Sequence, residues 1–235
     1  MSNCFDFFER IYCINLKSRT DRWKNCISQF SNLNILERVA RIEGMLCNHP
    51  ALDKKQNAQI GCALSHYNIL KEAKKNNYSN ILVFEDDFLF IKDRETINAQ
   101  INKSLAELPK DWDIFYISGF FVKGYDYDAA EKYSQNLVRA KTCFCTHAMA
   151  YSKKGINKIL KNLKLETEFD VLTFSKEHEA IDWYYVREAQ RFNECFAPRD
   201  LLCIQNAGHS DIENKYIDYK KNFEDSHKKY IEKFL

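Results

Sequence analysis

The chain has 235 residues, 45% hydrophobic and 29% charged, with 35 basic against 33 acidic side chains and a net charge of +2. That length can bury a full core, and the near-neutral balance gives no long-range field toward nucleic acid or an anionic membrane. No apolar run approaches a membrane-spanning length, and Met1–Arg10 does not read as a signal peptide. The nine cysteines are odd in number and irregularly spaced. They read as reduced thiols of a cytoplasmic protein, and no second pair follows Cys143 and Cys145 at zinc-site spacing. With three prolines and six glycines there is no linker, and no internal repeat.

Ile11–Leu16 reads as the first strand. A doubly basic turn, Lys17–Arg22, follows it. Trp23, Cys26, Ile27 and Phe30 then recur at helical spacing. Ser18 with Asp21 resembles a capping box. Arginines at a helix start are disfavoured by the dipole, so Arg19 and Arg22 point to an anionic ligand at this helix N-terminus. Gln59–Lys75 reads as a second helix, with a core stripe through Ile60, Ala63, Leu64, Tyr67, Leu70 and Ala73. Ile81–Phe84 is a short strand buried on both faces, and it runs directly into Glu85-Asp86-Asp87. Three carboxylates at the mouth of a buried strand repel one another and resist desolvation. A cation would neutralise them, at the strand edge where open α/β sheets bind ligands. A solvated acidic turn is the simpler alternative.

Asp113–Phe120 and Cys143–Ser152 read as strands, and Lys153–Leu163 and Glu179–Gln190 as helices. Leu201–Ile204 is a short strand before the loop Gln205–Asp211. The tail 211–235 carries six Lys and six acidic residues and reads as a packed helix with a loose aromatic stripe. Docking on a membrane surface is its second reading, opposed by the missing polybasic face. The alternation implies an α/β fold with a mostly parallel sheet.

Three segments in order carry a family resemblance. Ile14-Asn15-Leu16-Lys17-Ser18-Arg19-Thr20-Asp21-Arg22 resembles the I-N-L-x-x-R-x-D-R signature of glycosyltransferase family 25. Gly61 through Ser65-His66 is similar to that family's G-x-x-x-S-H helix, and Phe84-Glu85-Asp86-Asp87 to its acidic metal motif. Ala150-Tyr151-Ser152 and Gln205 through Ser210-Asp211-Ile212 are weaker matches. His147 and the Cys143–Cys145 region depart from the pattern. The resemblance implies a GT-A-like fold: a Rossmann-type nucleotide-sugar-binding half over about 11–120, a continuous acceptor half over about 121–212, and a helical tail over 213–235. It also implies a UDP-sugar donor, often UDP-galactose, a glycan or lipid-linked acceptor, and Mn²⁺ or Mg²⁺.

On that reading Asp87 is the first choice of metal ligand, Glu85 reaches the ribose or a metal-bound water, and Asp86 supports them. His209 is the candidate C-terminal ligand, with Asp211 as fallback or as the group orienting it. Asn15, Arg19 and Arg22 face the nucleotide, although Arg19 or Arg22 could instead pair with Asp21 or Asp87. Ser65 and His66 point to the ligand edge, the alternative for His66 being a core histidine satisfied by backbone. Inversion needs a base opposite the leaving group, and Asp182 early in its helix is the candidate, with Glu179 in reserve. Trp183 and Tyr184 pack an acceptor ring, or are core aromatics. The competing classes are a two-metal phosphohydrolase or nuclease built on the same carboxylates, and a non-catalytic nucleotide-sugar-binding module.

Overall fold

The computed structural model describes residues 3–124, 128–191 and 194–234. After a 3-10 turn the chain enters β1 (Arg10–Asn15), α1 (Thr20–Asn32), β2 (Val39–Glu43), α2 (Lys54–Lys75), β3 (Asn80–Glu85) and β4 (Phe88–Phe90). Next come α3 (Arg94–Glu107), β5 (Ile114–Tyr116), β6 (Phe120–Phe121), β7 (Ala130–Lys132), β8 (Leu137–Ala140), β9 (Cys143–Phe144) and β10 (Ala148–Ser152). The remainder is α4 (Lys153–Asn162), α5 (Glu168–His178), α6 (Ile181–Tyr184), β11 (Cys195–Pro198), β12 (Cys203–Gln205), β13 (Gly208–Ser210), β14 (Lys215–Ile217) and α7 (Lys220–Tyr230).

Eight strands form the central sheet in the order β2-β1-β3-β10-β5-β11-β8-β7. Only β10 and β8 oppose the other six in direction, so the sheet is mostly parallel. Alternation along the strands splits the core in two. Tyr12, Ile14, Ile81 and Val83 face one layer with Ile60, Tyr67 and Ile156 of α2 and α4. Ile11, Cys13, Leu82 and Phe84 face the other with Phe30 and Ile97 of α1 and α3. Both faces are covered, which is why these strands read as continuous apolar runs rather than as alternation.

The strands β1, β2 and β3 all end at one edge of the sheet. An antiparallel strand begins where its parallel neighbours end. Ala148 at the start of β10 therefore sits opposite Phe84, and Thr146 and His147 arrive beside Glu85.

Several elements differ from the expectation. The strand expected over Asp113–Phe120 stops at Tyr116, and β6 pairs instead with β9. A Cβ on Gly119 would collide with the Cys143 sulfur, so any side chain there would have to displace that thiol. Cys145 takes a positive φ of 69° and breaks the strand expected over Cys143–Ser152. The helix expected over Glu179–Gln190 starts at Ile181 and widens to a π-helix from Tyr185 to Gln190. The helix α2 begins before Gln59 because Asp53 and Gln56 form a full capping box. Ser18 caps nothing, since Arg19 holds the N-cap position of α1 without a side-chain bond. In the tail, β14 precedes α7, and Leu235 lies outside the described residues. Among the described residues no helix is long and apolar enough to cross a membrane.

Candidate active site

The acidic turn closes β3 at the ligand edge, and its three carboxylates sit in three different environments. Asp86 is clamped on both oxygens, by the Asn15 amide at 2.6 Å and by Arg22 at 2.7 Å. Asn15 is itself held by Arg41 at 2.5 Å, and Arg41 lies over the Trp23 ring. Asp87 accepts from Gln205 at 2.8 Å and sits 3.4 Å from Arg22, while its Oδ1 is buried with no partner. Burial and then the neighbouring Glu85 charge push its pKa up to about 7, against the pull of Arg22 and Gln205.

Glu85 behaves oppositely. Burial favours its neutral form, yet the His66 imidazole at 3.0 Å and the Thr146 hydroxyl hold its pKa below the usual range. These two and the Cys62 thiol all meet Glu85 at Oε1, so Oε2 lies outside that network. His66 is fully buried, and its other nitrogen continues to the Tyr151 hydroxyl at 3.3 Å, which donates to Tyr185 at 3.0 Å.

Two clefts meet at this turn. The first, about 640 Å³, is lined by the β1–α1 loop (Leu16, Ser18), Arg22, Asp87 and the segment Gly44–Asn48. The G-x-x-x-S-H helix places that segment. A Cβ on Gly61 would lie 2.5 Å from the Met45 carbonyl oxygen, so glycine allows the backbone to cross α2 closely. One turn on, the Ser65 hydroxyl accepts from the Met45 amide and donates to the Gly61 carbonyl, each at 2.8 Å.

The second cleft, about 1350 Å³, runs between the α6 region and α7, past Phe120, Thr142, Phe144, His147, Asp182, Trp183 and Phe223. Glu85, Cys62 and Gln205 line both clefts. Asp182 accepts from the Trp183 amide at 2.8 Å. Its pKa is raised, first by burial and further by the Glu85 charge, although backbone donors at Trp183 and Cys145 oppose this. Burial drives His147 down to about 4 despite Glu85 and the nearby Cys203 backbone, so its ring is neutral near pH 7.

Among the expected site residues, Glu85, Asp87, Arg22 and Ser65 line the first cleft together with Asp86, while Asp182 and Trp183 line the second. Others are placed differently. Tyr184 is 4% exposed and packs against Phe174, His178 and Tyr185, so it is a core aromatic and not an acceptor platform. His209 alternates out of the cleft lining that Ser210 joins; it contributes its carbonyl oxygen, which accepts from Arg19 and Arg22. Its ring lies outside the lining of both clefts. Asp211, the fallback, is bound by Arg19 at 2.5 Å. Arg19 is consumed by Asp21 and Asp211, which explains an arginine at a helix start without invoking a ligand. Asn15 and His66 are bonded to Asp86 and Glu85 and line neither cleft. Thr146 and Gln205 also bond the acidic turn, and sequence reasoning gave neither a role, although Gln205 opens the weak C-terminal family match; only sheet pairing brings the two to the turn.

A divalent cation fits this turn, because Asp87 Oδ1 is a buried carboxylate oxygen without a partner and Glu85 Oε2 is uncommitted. Such all-oxygen donors suit Mn²⁺ or Mg²⁺. Cys62, His66 and Glu85 also bring ligand atoms within 4.8 Å of one another. Burial holds the Cys62 thiol protonated, so this trio acts as the support of Glu85.

Residues 8–173 match the family model described as glycosyltransferase family 25 (LPS biosynthesis protein). The chain belongs to glycosyltransferase family 25. It is similar to procollagen galactosyltransferase 1-A of Xenopus laevis, 26% identical over 216 residues, which cover 84% of this chain and 34% of that protein. It is also similar to the human inactive glycosyltransferase 25 family member 3, 24% identical, with 84% of this chain and 35% of that protein covered. The chain thus spans about a third of the length of the curated relatives it matches. A solved Drosophila β-1,4-galactosyltransferase 7 mutant in complex with manganese, UDP-Gal and xylobiose superposes with a TM-score of 0.40 at 11% identity, covering 90% of this chain and 72% of that one. The family match includes the basic loop, α2 and the acidic turn, whereas Asp182 lies beyond it.

Proposed function

We propose that this chain is a metal-dependent, inverting glycosyltransferase. It moves a hexose, galactose as first choice, from a UDP-sugar to a glycan or lipid-linked acceptor. The observation that carries the reading is the meeting of two clefts at one acidic turn, with Asp87 on the first side, Asp182 on the second and Glu85 lining both. The relatives named as galactosyltransferases support the choice of sugar. We divide the chain into a donor half (about 11–120) and an acceptor half (about 121–212); the first cleft is lined mainly from the first half and the second mainly from the second, although Cys62, Glu85, Gln205, Ser210 and Ile212 line both, and Lys55, Gln59 and Phe120 reach the second from the first half.

Asp87 and Glu85 would hold Mn²⁺ or Mg²⁺ in this scheme, and the ion would supply Lewis-acid neutralisation of a departing diphosphate. Arg22 adds fixed positive charge beside it at the start of α1. Asp182 accepts the proton of the acceptor hydroxyl at its carboxylate, the oxygen bonds to the anomeric carbon, and the bond to UDP breaks on the opposite face. A raised aspartate pKa suits a base that must work near neutral pH. The positive charge developing at that carbon is of the oxocarbenium type familiar from glycoside hydrolysis. The free thiols support a reducing compartment such as the cytoplasm, with peripheral membrane contact a secondary idea.

A two-metal phosphohydrolase would need further ligands at the strand ends. Asp113 instead lies before β5, bound by Lys158 at 2.7 Å. The decisive experiment incubates the protein with UDP-sugars and Mn²⁺ and measures released UDP. Slow hydrolysis abolished by EDTA and by Asp87→Ala supports the transferase. Absence of UDP binding with every cation tested sinks it. UDP binding without any turnover would favour the binding-module alternative.

A further inference from the structure

The trio of Cys62, His66 and Glu85 can do more than hold a carboxylate in place. Cys62 and His66 stand at i and i+4 on α2, so one face of that helix presents both to the end of β3. A ligand atom from each of the three lies within 4.8 Å of the other two, and no other such group occurs among the described residues. His66 Nε2 is 3.0 Å and Cys62 Sγ 3.9 Å from Glu85 Oε1. The pattern G-x-x-x-S-H fixes His66 but leaves the position of Cys62 open, so the sulfur belongs to this chain and not to the motif.

Sulfur, imidazole nitrogen and carboxylate oxygen together suit zinc, whereas all-oxygen donors suit Mn²⁺ or Mg²⁺. Bonds of about 2.3 Å to sulfur and about 2.0 Å to nitrogen or oxygen put the ligand atoms of a tetrahedral zinc centre about 3.3–3.5 Å apart. The observed 3.0 and 3.9 Å bracket that spacing, so small side-chain shifts complete it. The group that would orient the imidazole is also in place. The Tyr151 hydroxyl donates to Tyr185 at 3.0 Å, so its oxygen can accept from His66 Nδ1 at 3.3 Å and leave Nε2 to the metal. An ion has a way in as well. His66 is fully buried, but Cys62 is partly exposed, and Cys62 and Glu85 line both clefts, which leaves a fourth position for water.

We infer that Cys62, His66 and Glu85 form a second cation site, specific for zinc, that opposes the hard-cation site through their shared carboxylate. Binding forms Zn–S, Zn–N and Zn–O bonds and releases the thiol proton, with any proton on Nε2, to solvent. Zinc on Glu85 Oε1 puts two positive charges beside Asp87 and so repels Mn²⁺ from Oε2. The zinc site stands apart from the transferase reading; only the antagonism rests on it.

The probe is Cd²⁺, a spectroscopic stand-in for zinc, titrated into the full chain and read by its sulfur-to-metal ultraviolet absorption. Wild type should show a saturable band that Zn²⁺ displaces. Cys62→Ser should lose the band and weaken Zn²⁺ binding at least about a hundredfold, since even a partner behind a ligand is worth about 10–100-fold. Tyr151→Phe should keep the band and weaken Zn²⁺ binding about tenfold. Asp87→Ala should keep the band, as should Cys47→Ser and Cys145→Ser at the other two partly exposed thiols. Cys62→Ala carries the test if Cys62→Ser does not fold, as judged by circular dichroism. In wild type, Zn²⁺ should raise severalfold the Mn²⁺ concentration needed for UDP binding, and in the Cys62 variant it should not. No band in wild type, a band that survives loss of the Cys62 sulfur, or one that disappears with Asp87 or with either other thiol overturns the inference. Zinc that binds without shifting the Mn²⁺ requirement overturns the antagonism. A Cys62-dependent band in a protein that binds no UDP supports the site while the transferase reading fails.

Discussion

Replacing Gly61 with alanine pits two effects of opposite sign against each other. In the interior of an exposed helix the change stabilises by about 1 kcal/mol, because glycine loses more backbone freedom on folding. At Gly61 the new Cβ would lie 2.5 Å from the Met45 oxygen, where ordinary contact begins at 3.4 Å. The carbonyl must therefore retreat by about 3.4 − 2.5 = 0.9 Å. It belongs to backbone, and the adjacent Met45 amide is pinned by Ser65 at 2.8 Å, so the strain has no flexible side chain to absorb it. Overpacking of this kind costs about 1–3 kcal/mol, leaving a net loss of about 1 kcal/mol and a Tm lower by about 2–4 °C. The displaced Gly44–Asn48 segment is a wall of the proposed donor cleft. UDP affinity should fall severalfold, and transfer by up to about a hundredfold, as expected for reactants misplaced by ~1 Å. Calorimetric unfolding and UDP titration read both effects. Gly208→Ala is the control, since nothing lies within 4 Å of its new Cβ. A Gly61→Ala protein more stable than wild type, with unchanged UDP affinity, would refute the close crossing and the role assigned to the G-x-x-x-S-H helix.

Asp87→Ala should abolish the rise in Tm that Mn²⁺ plus UDP gives the wild type while leaving the metal-free protein no less stable, because it removes a buried carboxylate whose Oδ1 has no partner; a retained metal-dependent shift would move the ligand elsewhere. His66→Phe strips Glu85 of its imidazole and should cost about 3 kcal/mol by urea titration, as for a broken buried pair. Asp182→Asn should keep UDP binding and lose transfer by at least about a hundredfold. For Asp182 itself, burial raises the folded-state pKa, so the folded protein holds that proton more tightly than the unfolded chain does. The ionised base is lost as pH falls through the raised pKa, and the acid limb of kcat should lie above the ordinary aspartate range. This group's contribution to stability should decline as pH rises through the same interval. An acid limb at the ordinary value would remove Asp182 from the role of base.

Elements with one strong local pattern are legible in the amino-acid sequence. The strand β3 follows from a continuous apolar run, and α1 and the amphipathic α4 from local pattern, because the residues that decide them are neighbours along the chain. The short strands β4, β6 and β9 are two or three residues long and carry no period to detect. Tyr184 illustrates the limit on side chains. Its segment is aromatic throughout, and only the packing of α5 against α6 shows that Trp183 faces the cleft while Tyr184 faces the core.

The sequence by itself determined that three carboxylates close a buried strand, that a basic loop precedes the first helix, and that the chain carries the motifs of its family. Composition and local order suffice for such statements. Only the tertiary structure decided what each charge is for. Arg22 and Asn15 neutralise Asp86, Arg19 fastens the Asp211 loop, and His66 holds Glu85, leaving Asp87 with an unpaired oxygen. These partners are separated by 19 to 192 residues along the chain. Desolvation and hydrogen bonding act over a few ångströms of space, so no local reading could have told three identical-looking acids apart.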